Sequence, residues 1–330
     1  MFKNIYPFAL FCIVALSSEH ALGEECRPIE KSDEVSDRTA YVRTTGVHCL
    51  TYGLVQPKVF DIHAGSYKKL STSLLEIEYS GEYWDSSIHK IVRNPPFVEG
   101  SSFEVDLQNH LLKNEGENAS GVRALGGIRH VKIRNGKVNV SGLRSSKGVT
   151  LENGDGKLMY PNINGYGNKV YVGNADYEDV AASETLDKKA PTYEPTDNLV
   201  DHMTIKAGWR GVVMGGANNI LRDSTIEVDG HTAIFMYGPG SIIENNTIII
   251  HGQGDAKPFD AAIKLRDAHG AIVRNNHIIY KGSWFGKAPV AINLLDSTDV
   301  KIEGNTLEKF EKLVRLNGES TFSETVNSLK

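Results

Sequence analysis

Ile243-Glu-Asn-Asn-Thr-Ile248 is the clearest copy of a six-residue segment that decides the fold of this 330-residue chain. Each copy pairs an apolar residue with a second one five places later, and an Asn, Asp or Gly between them suits a bend. The other copies are Ile133-Arg-Asn-Gly-Lys-Val138, Val200-Asp-His-Met-Thr-Ile205, Leu221-Arg-Asp-Ser-Thr-Ile226, Val273-Arg-Asn-Asn-His-Ile278 and Ile302-Glu-Gly-Asn-Thr-Leu307. Six copies indicate a repeat architecture.

A second short segment recurs between these copies. Its members are Val149-Thr-Leu151, Val212-Val-Met214, Ile234-Phe-Met236, Ile263-Lys-Leu265, Ile292-Asn-Leu294 and Val314-Arg-Leu316. Their spacings of 63, 22, 29, 29 and 22 residues indicate a base period near 22 with loop insertions. One unit is too short to bury its own apolar face, so the pattern predicts an all-β solenoid of stacked coils. Alternation along each strand places Ile234, Ile263, Ile292 and Val314 inside, one above another.

Two polar columns predict the same register. Asn245 or Asn246, Asn275 or Asn276, and Asn305 would lie above one another and hydrogen-bond along the solenoid axis. The outward column after the first apolar residue reads Asp201, Arg222, Glu244, Arg274 and Glu303, so its sign alternates from coil to coil. Opposite charges on neighbouring strands, about 4.8 Å apart, attract one another.

This pattern resembles the right-handed parallel β-helix proteins of the pectate-lyase-like superfamily. The resemblance covers about residues 103–318: Phe103-Glu-Val-Asp-Leu-Gln-Asn-His-Leu-Leu112 is similar to that family's first coil, and His130-Val-Lys-Ile-Arg-Asn-Gly-Lys-Val138 to its second. The resemblance implies an all-β, right-handed parallel β-helix. It does not single out an activity, because the superfamily contains lyases, hydrolases, epimerases and non-enzymes. The Asp-Pro-His-Glu motif of the alginate epimerases is absent.

The repeat divides the chain into regions. Residues 1–23 have the features of a secretory signal: Lys3, an apolar core and the small-x-small site Ala21-Leu-Gly23. Residues 24–102 lack the repeat and are predicted to cap the N-terminal end of a solenoid at 103–318. Within that solenoid, residues 153–198 form a long insertion, and residues 319–330 are interpreted as a C-terminal tail.

The cysteines indicate the compartment of the protein, and the charge balance restricts the classes of partner that it can bind. Cleavage after about Gly23 leaves Cys26 and Cys49, and an even pair in an exported chain predicts a disulfide. We therefore expect a secreted or periplasmic protein. The apolar run of the signal is too short to span a bilayer, which argues against stable membrane insertion. A net charge of −5, from 36 basic and 41 acidic residues, argues against a general nucleic-acid-binding surface.

Two insertions predict a binding groove. Residues 251–260 and 281–289 both enter the second segment on adjacent coils, and loops added to one side of a solenoid commonly form its binding side. The outward positions of the second segment carry aromatic rings, cations and an amide, and the second loop adds a further ring and a further cation. The substrate-binding candidates are Phe235, Tyr237, Trp284, Lys287, Asn293 and Arg315. Such a set suits an acidic polysaccharide, because rings stack on sugars and Arg binds carboxylates.

If the groove is catalytic, β-elimination fits it best. A lyase needs a base to remove the proton α to a uronate carboxylate and a cation to neutralise the developing enolate. Lys264 beside Arg266 is the candidate base, with His251 or His231 as substitutes, and Arg266 or Arg315 would hold the carboxylate. Asp260, in the first loop, completes the candidate catalytic set of Lys264, Arg266, His251 and Asp260.

Two alternatives stay open. Asp267 and Asp296 take the same position in consecutive coils, so they could be the paired carboxylates of a glycoside hydrolase, could bind Ca²⁺, or could be ordinary turn aspartates. The chain could also be a non-catalytic surface or envelope solenoid that binds a glycan or a protein. The sequence has no zinc-spaced His/Cys cluster, nucleophile elbow or phosphate loop, so it supports no metal-hydrolase, serine-esterase or nucleotide-binding function.

Overall fold

The chain folds into coils of short strands that stack on one another along a common axis. The computed structural model describes residues 26–29, 40–42, 45–51, 54–56, 73–77, 82–85, 90–93, 102–114, 120–124, 130–141, 146–151, 159–160, 170–171, 196–253, 259–282 and 290–330. Within these ranges it contains strands and turns and no helix. Accordingly, no described segment is a helix long and apolar enough to cross a membrane.

One sheet has nine parallel strands, one from each coil, and is called here the second sheet. In stacking order its strands are β2 (Ala40–Val42), β5 (Ser73–Ile77), β10 (Ser120–Ala124), β12 (Lys147–Leu151), β16 (Arg210–Gly215), β19 (Ile234–Tyr237), β22 (Ala261–Arg266), β25 (Val290–Leu295) and β28 (Val314–Asn317).

The other large sheet, called here the first sheet, has seventeen strands in two columns that meet at a bend. The leading column contains β1 (Arg27–Pro28), β3 (Gly46–Cys49), β8 (Phe103–Asp106), β17 (Ile220–Arg222), β20 (Ile242–Glu244), β23 (Ile272–Arg274), β26 (Val300–Glu303) and β29 (Phe322–Thr325). The trailing column contains β4 (Leu54–Gln56), β9 (Leu111–Asn114), β18 (Thr225–Val228), β21 (Thr247–Ile250), β24 (His277–Tyr280), β27 (Thr306–Glu308) and β30 (Ser328–Leu329). The longer strands β11 (Val131–Val140) and β15 (Leu199–Ala207) cross the bend and belong to both columns.

Two antiparallel pairs lie outside these sheets. β6 (Glu82–Asp85) pairs with β7 (Lys90–Arg93), and β13 (Met159–Tyr160) pairs with β14 (Val170–Tyr171). The second pair is the described part of the middle of the 153–198 insertion.

The predicted core register is confirmed. Ile234 pairs with Ile263, Ile263 with Ile292, and Ile292 with Val314, one coil above the next. The three isoleucines are 0% exposed and Val314 is 6% exposed. The core therefore runs up the inside of the solenoid as continuous columns of apolar side chains.

The predicted asparagine ladder forms at the bend of the first sheet. Asn276 accepts a hydrogen bond at Oδ1 from the backbone N–H of Asn246, and Asn305 accepts one in the same way from Asn276, both at 3.0 Å. Asn245 and Asn275, the alternatives in each pair, instead adopt positive φ angles of 57° and 54° and face solvent. One Asn of each pair thus makes the turn, and its neighbour satisfies the buried backbone of the preceding coil.

The alternating charge column is also confirmed. Arg222 Nε lies 3.2 Å from Asp201 Oδ1, and Arg274 Nε donates to Glu244 Oε2 at 2.7 Å. The hydrogen bond that Arg222 donates to Asp201, together with the negative charge of Asp201, raises the pKa of Arg222. Each pair joins one coil to the next, so the column contributes to the register of the stack.

Small residues form a column at the corner where the trailing strands give way to the second sheet. Gly121, Gly148 and Gly211 stack here, and Ala233, Ala262 and Ala291 continue the column. A Cβ added to Gly148 would overlap Ile205, and one added to Gly211 would overlap Ile226. The two sheets therefore approach so closely at these coils that no side chain fits between them.

The coils extend beyond both limits predicted for them. β3 pairs with β8 through Gly46 and Phe103, and β5 pairs with β10, so strands before residue 103 continue the two sheets. This differs from the expected cap at residues 24–102. β29 and β30 likewise pair with β26 and β27, so the expected tail at residues 319–330 contains strands of a further coil.

The sequence hides the early coils for two physical reasons. Gly46 and Phe103, which pair on adjacent coils, are 57 residues apart, far more than the base period. In addition, His48 pairs with Val105 and is only 6% exposed, so a polar residue takes an inward position that is apolar in later coils. Both features remove the apolar period that reveals the later coils.

The predicted disulfide is confirmed. Cys26 and Cys49 are bonded, with their Cα atoms 5.6 Å apart. The bond ties the residue before β1 to the end of β3, which are neighbouring strands of the leading column. The predicted signal peptide, residues 1–23, lies outside the described residues.

Candidate functional site

The candidate site is the outward face of the second sheet in its last four coils, called here the outer strip. Its members are Phe235, Tyr237, Lys264, Arg266, Asn293, Leu295, Arg315 and Asn317. Strand pairing brings the predicted residues together: Phe235 pairs with Lys264, Lys264 with Asn293, and Asn293 with Arg315. None of these side chains belongs to the apolar core of the solenoid, as alternation along the strands requires.

The first half of the strip is buried, although the sequence predicts that it faces solvent. Lys264 and Arg266 are each 7% exposed, Tyr237 is 6% exposed and Phe235 is 1% exposed. The expectation that both cations lie on an open surface is therefore wrong. The repeat pattern shows which way a side chain points, but not whether anything lies over it.

Lys264 rests on an aromatic ring. Its Nζ lies 5.2 Å from the centre of the Phe235 ring, and the Phe235 and Tyr237 rings pack against each other with centroids 5.4 Å apart. These rings are therefore occupied by protein contacts and do not form the open sugar-stacking platform that the sequence predicts. Contact with a ring face stabilises a charged ammonium, which is a suitable state for binding an anion.

Arg266 and the two candidate metal ligands have structural partners. Arg266 Nε donates to Asp267 Oδ2 at 3.3 Å, and Asp296 Oδ1 accepts a hydrogen bond from the backbone N–H of Glu319 at 3.2 Å. Asp267 and Asp296 have φ angles of 46° and 48° at the same turn position. This geometry is that of turn aspartates, the ordinary alternative, because Asp tolerates the left-handed region better than most residues.

A different group comes closest to a metal centre. Among the described residues, the one set of three or more His, Cys, Asp or Glu side chains able to share an ion is Asp201, His202 and Asp223. Arg222 already bonds Asp201 and lies 3.8 Å from Asp223. A resident guanidinium supplies the positive charge there, so this set does not need a metal ion to balance it.

Asn293 has the most informative environment of the strip. Its side chain is 0% exposed, and its Oδ1 accepts a hydrogen bond from Asn317 Nδ2 at 2.5 Å. No described residue accepts a hydrogen bond from Asn293 Nδ2. A buried amide donor left in this way costs about 1–3 kcal/mol, which native proteins rarely accept without a reason.

The far half of the strip is more open. Leu295, Arg315 and Asn317, the neighbours of Asn293 on the last two coils, are all partly exposed. The strip therefore changes along the axis from buried rings, through buried cations and Asn293, to an accessible end with a guanidinium and an amide.

The remaining catalytic candidates lie elsewhere. His251 Nε2 is 2.9 Å from Glu227 Oε1, on the outward side of the trailing strands. Asp260 precedes β22 at the opposite end from Arg266, where its Oδ1 accepts a hydrogen bond from Thr232 at 3.1 Å and lies 3.5 Å from Arg210 Nη2. The structure therefore gathers Lys264 and Arg266 but does not bring His251 and Asp260 to them.

Two substrate-binding candidates lie outside the part of the chain that the structure describes, and one hydrogen-bonded carboxylate was not predicted from the sequence. Trp284 and Lys287 lie outside the described residues. Glu227, which sequence reasoning overlooked, joins His251 and Lys206, and their hydrogen bonds hold its pKa below the ordinary value of 4.5. The signal was present, because Lys206 and Glu227 occupy the same outward position on consecutive coils.

Comparison with known proteins identifies the fold. Residues 193–328 match the family model described as the right-handed β-helix region. The parallel register of the same residues agrees with that match. The chain is a right-handed parallel β-helix. The narrower likeness of this β-helix to the pectate-lyase-like superfamily stays a prediction.

Two further comparisons, with solved structures and with curated proteins, do not extend the identification of the fold. A solved structure, that of the Streptococcus pneumoniae surface protein and adhesin PfbA, is similar at 11% identity over 92% of this chain and 90% of that chain. Its TM-score of 0.29 is too low to support a conclusion about the β-helix described here. No curated protein matches the chain.

Proposed function

We propose that this β-helix is an exported, non-catalytic binder of an acidic polysaccharide. The contact surface is the polar part of the outer strip: Lys264, Asn293, Arg315 and Asn317. The disulfide between Cys26 and Cys49 supports export, because such bonds persist in oxidising compartments. The sequence features of residues 1–23 add a signal peptide to the proposal.

The unpartnered Nδ2 of Asn293 is the observation that carries this proposal. The atom is buried, it faces outward rather than into the core, and its side chain lies between a lysine and an arginine on the neighbouring coils. A ligand oxygen that accepts this hydrogen bond removes the cost of the buried donor.

The chemistry of the strip favours an acidic ligand. An ammonium, a guanidinium and an amide N–H all donate hydrogen bonds, so they match a partner that is rich in acceptors. A uronate carboxylate supplies two acceptor oxygens and the opposite charge. A neutral glycan would satisfy the amide but would not complement the positive charge that Lys264 and Arg315 bring to the strip.

The arrangement supports binding more than β-elimination. Lys264 lies on the Phe235 ring, which favours the charged ammonium, whereas a general base must be neutral to take a proton. A second candidate base, His251, lies 2.9 Å from Glu227 on the first sheet. The charged state of Lys264 and the separate partner of His251 both favour a binding surface over a lyase site.

Titration calorimetry on the Asn293→Leu variant tests the proposal. The ligands are pectate, alginate, hyaluronan and chondroitin, with dextran as the neutral control. The proposal expects the wild type to bind at least one acidic polymer and not dextran, and Asn293→Leu to bind about tenfold more weakly, the effect of one hydrogen bond to a charged group. Asn139→Leu, on the outward side of the first sheet, is the matched control and should bind as the wild type does.

Three outcomes would contradict the proposal. The first is an absence of binding to every acidic polymer. The second is the appearance of unsaturated uronate absorbance during incubation, since that would make the protein a lyase. Equal weakening by Asn293→Leu and Asn139→Leu would remove the outer strip as the contact surface.

A further inference from the structure

The outward face of the leading column of the first sheet carries a stack of apolar side chains. Its members, called here the apolar column, lie on four consecutive coils: Leu199, Ile220, Ile242 and Ile272. All four are partly exposed, and none belongs to the apolar core of the solenoid. Lys132 and Lys301 hold the same position on the coils on either side. The position therefore accepts lysine, yet its central coils present only aliphatic side chains, as a contact surface does.

The alternating charge column runs beside the apolar column, two residues further along each strand. It reads Arg134, Asp201, Arg222, Glu244, Arg274 and Glu303. Residues two apart in a strand point to the same side, so both columns lie on one face. The side chains of Arg222 and Arg274 are 40% and 41% exposed, although each is bonded to a carboxylate of its own column. A guanidinium has five N–H donors, so each of these arginines can also reach a carboxylate of another molecule.

The two columns share one centre, which lies between the coil of Ile220 and the coil of Ile242. Counted outward from that centre, the apolar column is the same in both directions: two aliphatic residues and then a lysine. The charge column has opposite signs at equal steps from the centre, in the pairs Arg222 and Glu244, Asp201 and Arg274, and Arg134 and Glu303. A face with these two properties is complementary to a second copy of itself that is turned end over end.

A two-fold rotation about the strand direction produces this match. The rotation keeps each column at its place along the strands and reverses the order of the coils. Ile220 then faces Ile242 of the second copy, and Arg222 faces Glu244 of the second copy. A two-fold rotation parallel to the solenoid axis keeps the order of the coils instead, so aligning the two charge columns would bring Arg222 onto Arg222. The charges therefore select the antiparallel arrangement.

We propose that this face is the interface of an antiparallel homodimer, in which the apolar columns pack together and the arginines bond carboxylates of the second copy. The proposal does not depend on the proposed function, because it concerns the first sheet and not the outer strip. The apolar column spans only about 14 Å, which is three strand spacings of about 4.8 Å. So narrow an interface gives weak association, and we expect a Kd on the order of 100 µM.

Sedimentation equilibrium of the purified protein, from about 10 µM to about 1 mM, tests the proposal over a range that brackets this Kd. Ile242→Lys should weaken dimerisation at least about tenfold, because it buries a charge against the apolar column of the second copy. The variant should keep the wild-type unfolding midpoint, since the same position holds Lys301 on a nearby coil. Leu329→Lys is the control, because it replaces an apolar side chain that is 59% exposed on the last coil, and it should dimerise as the wild type does.

Two results of this experiment would overturn the proposal. One is a monomer mass for the wild type at every concentration. The other is association that Ile242→Lys leaves unchanged or that Leu329→Lys weakens equally, since the contact would then lie elsewhere.

An exchange of charges tests the complementarity directly. Arg222→Glu/Arg274→Glu makes the four central charges negative, and Asp201→Lys/Glu244→Lys makes them positive. Each double variant alone should be monomeric, whereas an equimolar mixture should dimerise because every facing pair is again of opposite sign. Dimers of either variant alone, or a mixture that stays monomeric while both variants keep their folded circular dichroism spectra, would overturn the proposal.

Cross-linking tests the antiparallel order. Leu199 faces Ile272 of the second copy, so a mixture of Leu199→Cys and Ile272→Cys should be joined by a short bismaleimide. Leu199→Cys alone should not, because its two cysteines are offset by three strand spacings, about 14 Å along the axis. The native cysteines are bonded to each other and do not compete for the reagent. A product from Leu199→Cys alone, or none from the mixture, would overturn the antiparallel dimer.

Discussion

Asn276 Nδ2 donates a hydrogen bond to Asn305 Oδ1 on the next coil at 3.0 Å, and both side chains are buried. The same amide donates to the backbone carbonyl of Ile243 on the preceding coil at 2.9 Å. One side chain thus links three coils at the bend of the first sheet. Removing this side chain therefore tests how much the asparagine ladder contributes to the stability of the stacked coils.

Asn276→Ala should lower the free energy of unfolding by about 3 kcal/mol, because it leaves the buried N–H of Asn246 without its acceptor. Urea unfolding followed by circular dichroism measures the change. Asn275→Gly is the control, since Asn275 is exposed with a positive φ that glycine adopts freely, and it should change stability by less than about 0.5 kcal/mol. Similar losses in both variants would contradict the ladder's role.

Gly211→Val should destabilise the protein by about 1–3 kcal/mol, because the added atoms overlap Ile226 at the corner between the sheets. Thermal unfolding measures the effect. The double variant Gly211→Val/Ile226→Ala removes the overlapped side chain and should recover part of the loss. An additive result for the two changes would indicate that the corner is not the cause.

Lys264→Ala should lower stability by about 2 kcal/mol, because it removes a buried side chain and its contact with the Phe235 ring. Lys264→Met keeps most of the apolar stem and should lose less. Lys301→Ala, at an exposed position, is the control; a loss there equal to that of Lys264→Ala would contradict the explanation.

Glu227→Gln should make the stability of the protein less dependent on acid. The hydrogen bonds from His251 and Lys206 lower the pKa of Glu227, so the native state favours the carboxylate. This contribution is present above pH 4.5, the ordinary value, and is lost as the pH falls through the lower pKa of the folded protein. The unfolding midpoint of the wild type should exceed that of Glu227→Gln at pH 6, and the difference should shrink towards pH 3.

The same comparison with Glu324→Gln provides a control, because Glu324 is exposed on β29. Its difference from the wild type should stay small across this range. A constant gap between wild type and Glu227→Gln from pH 6 to pH 3 would show that the carboxylate gains nothing from its partners.

The sequence predicted the parts of the fold that depend on contacts between equivalent residues of neighbouring coils. Ile263 above Ile234, the Asn276–Asn305 contact and the Arg274–Glu244 pair all follow from a period and from alternation. The early coils were missed, because His48 occupies an inward position and the spacing there is long. For such coils only three-dimensional pairing reveals the repeat.

The sequence predicted less of the candidate site than of the fold. The sequence placed Lys264, Asn293 and Arg315 in one column, which the strand pairing bears out. It did not predict the burial of Lys264 and Phe235, because the repeat pattern gives the direction of a side chain and not what lies over it. It also could not predict that Asn293 would bond Asn317 through one end of its amide and leave the other end unpartnered.

The in-register pairing of Ile234, Ile263 and Ile292 has a mechanical consequence. Hydrogen bonds between parallel strands of successive coils run along the solenoid axis, so tension applied along that axis loads the interfaces between coils in series. The weakest interface therefore sets the force at which the molecule yields, and it opens while the others stay closed. Tension applied across the axis would instead shear many bonds at once, so the protein should resist a transverse load better than an axial one.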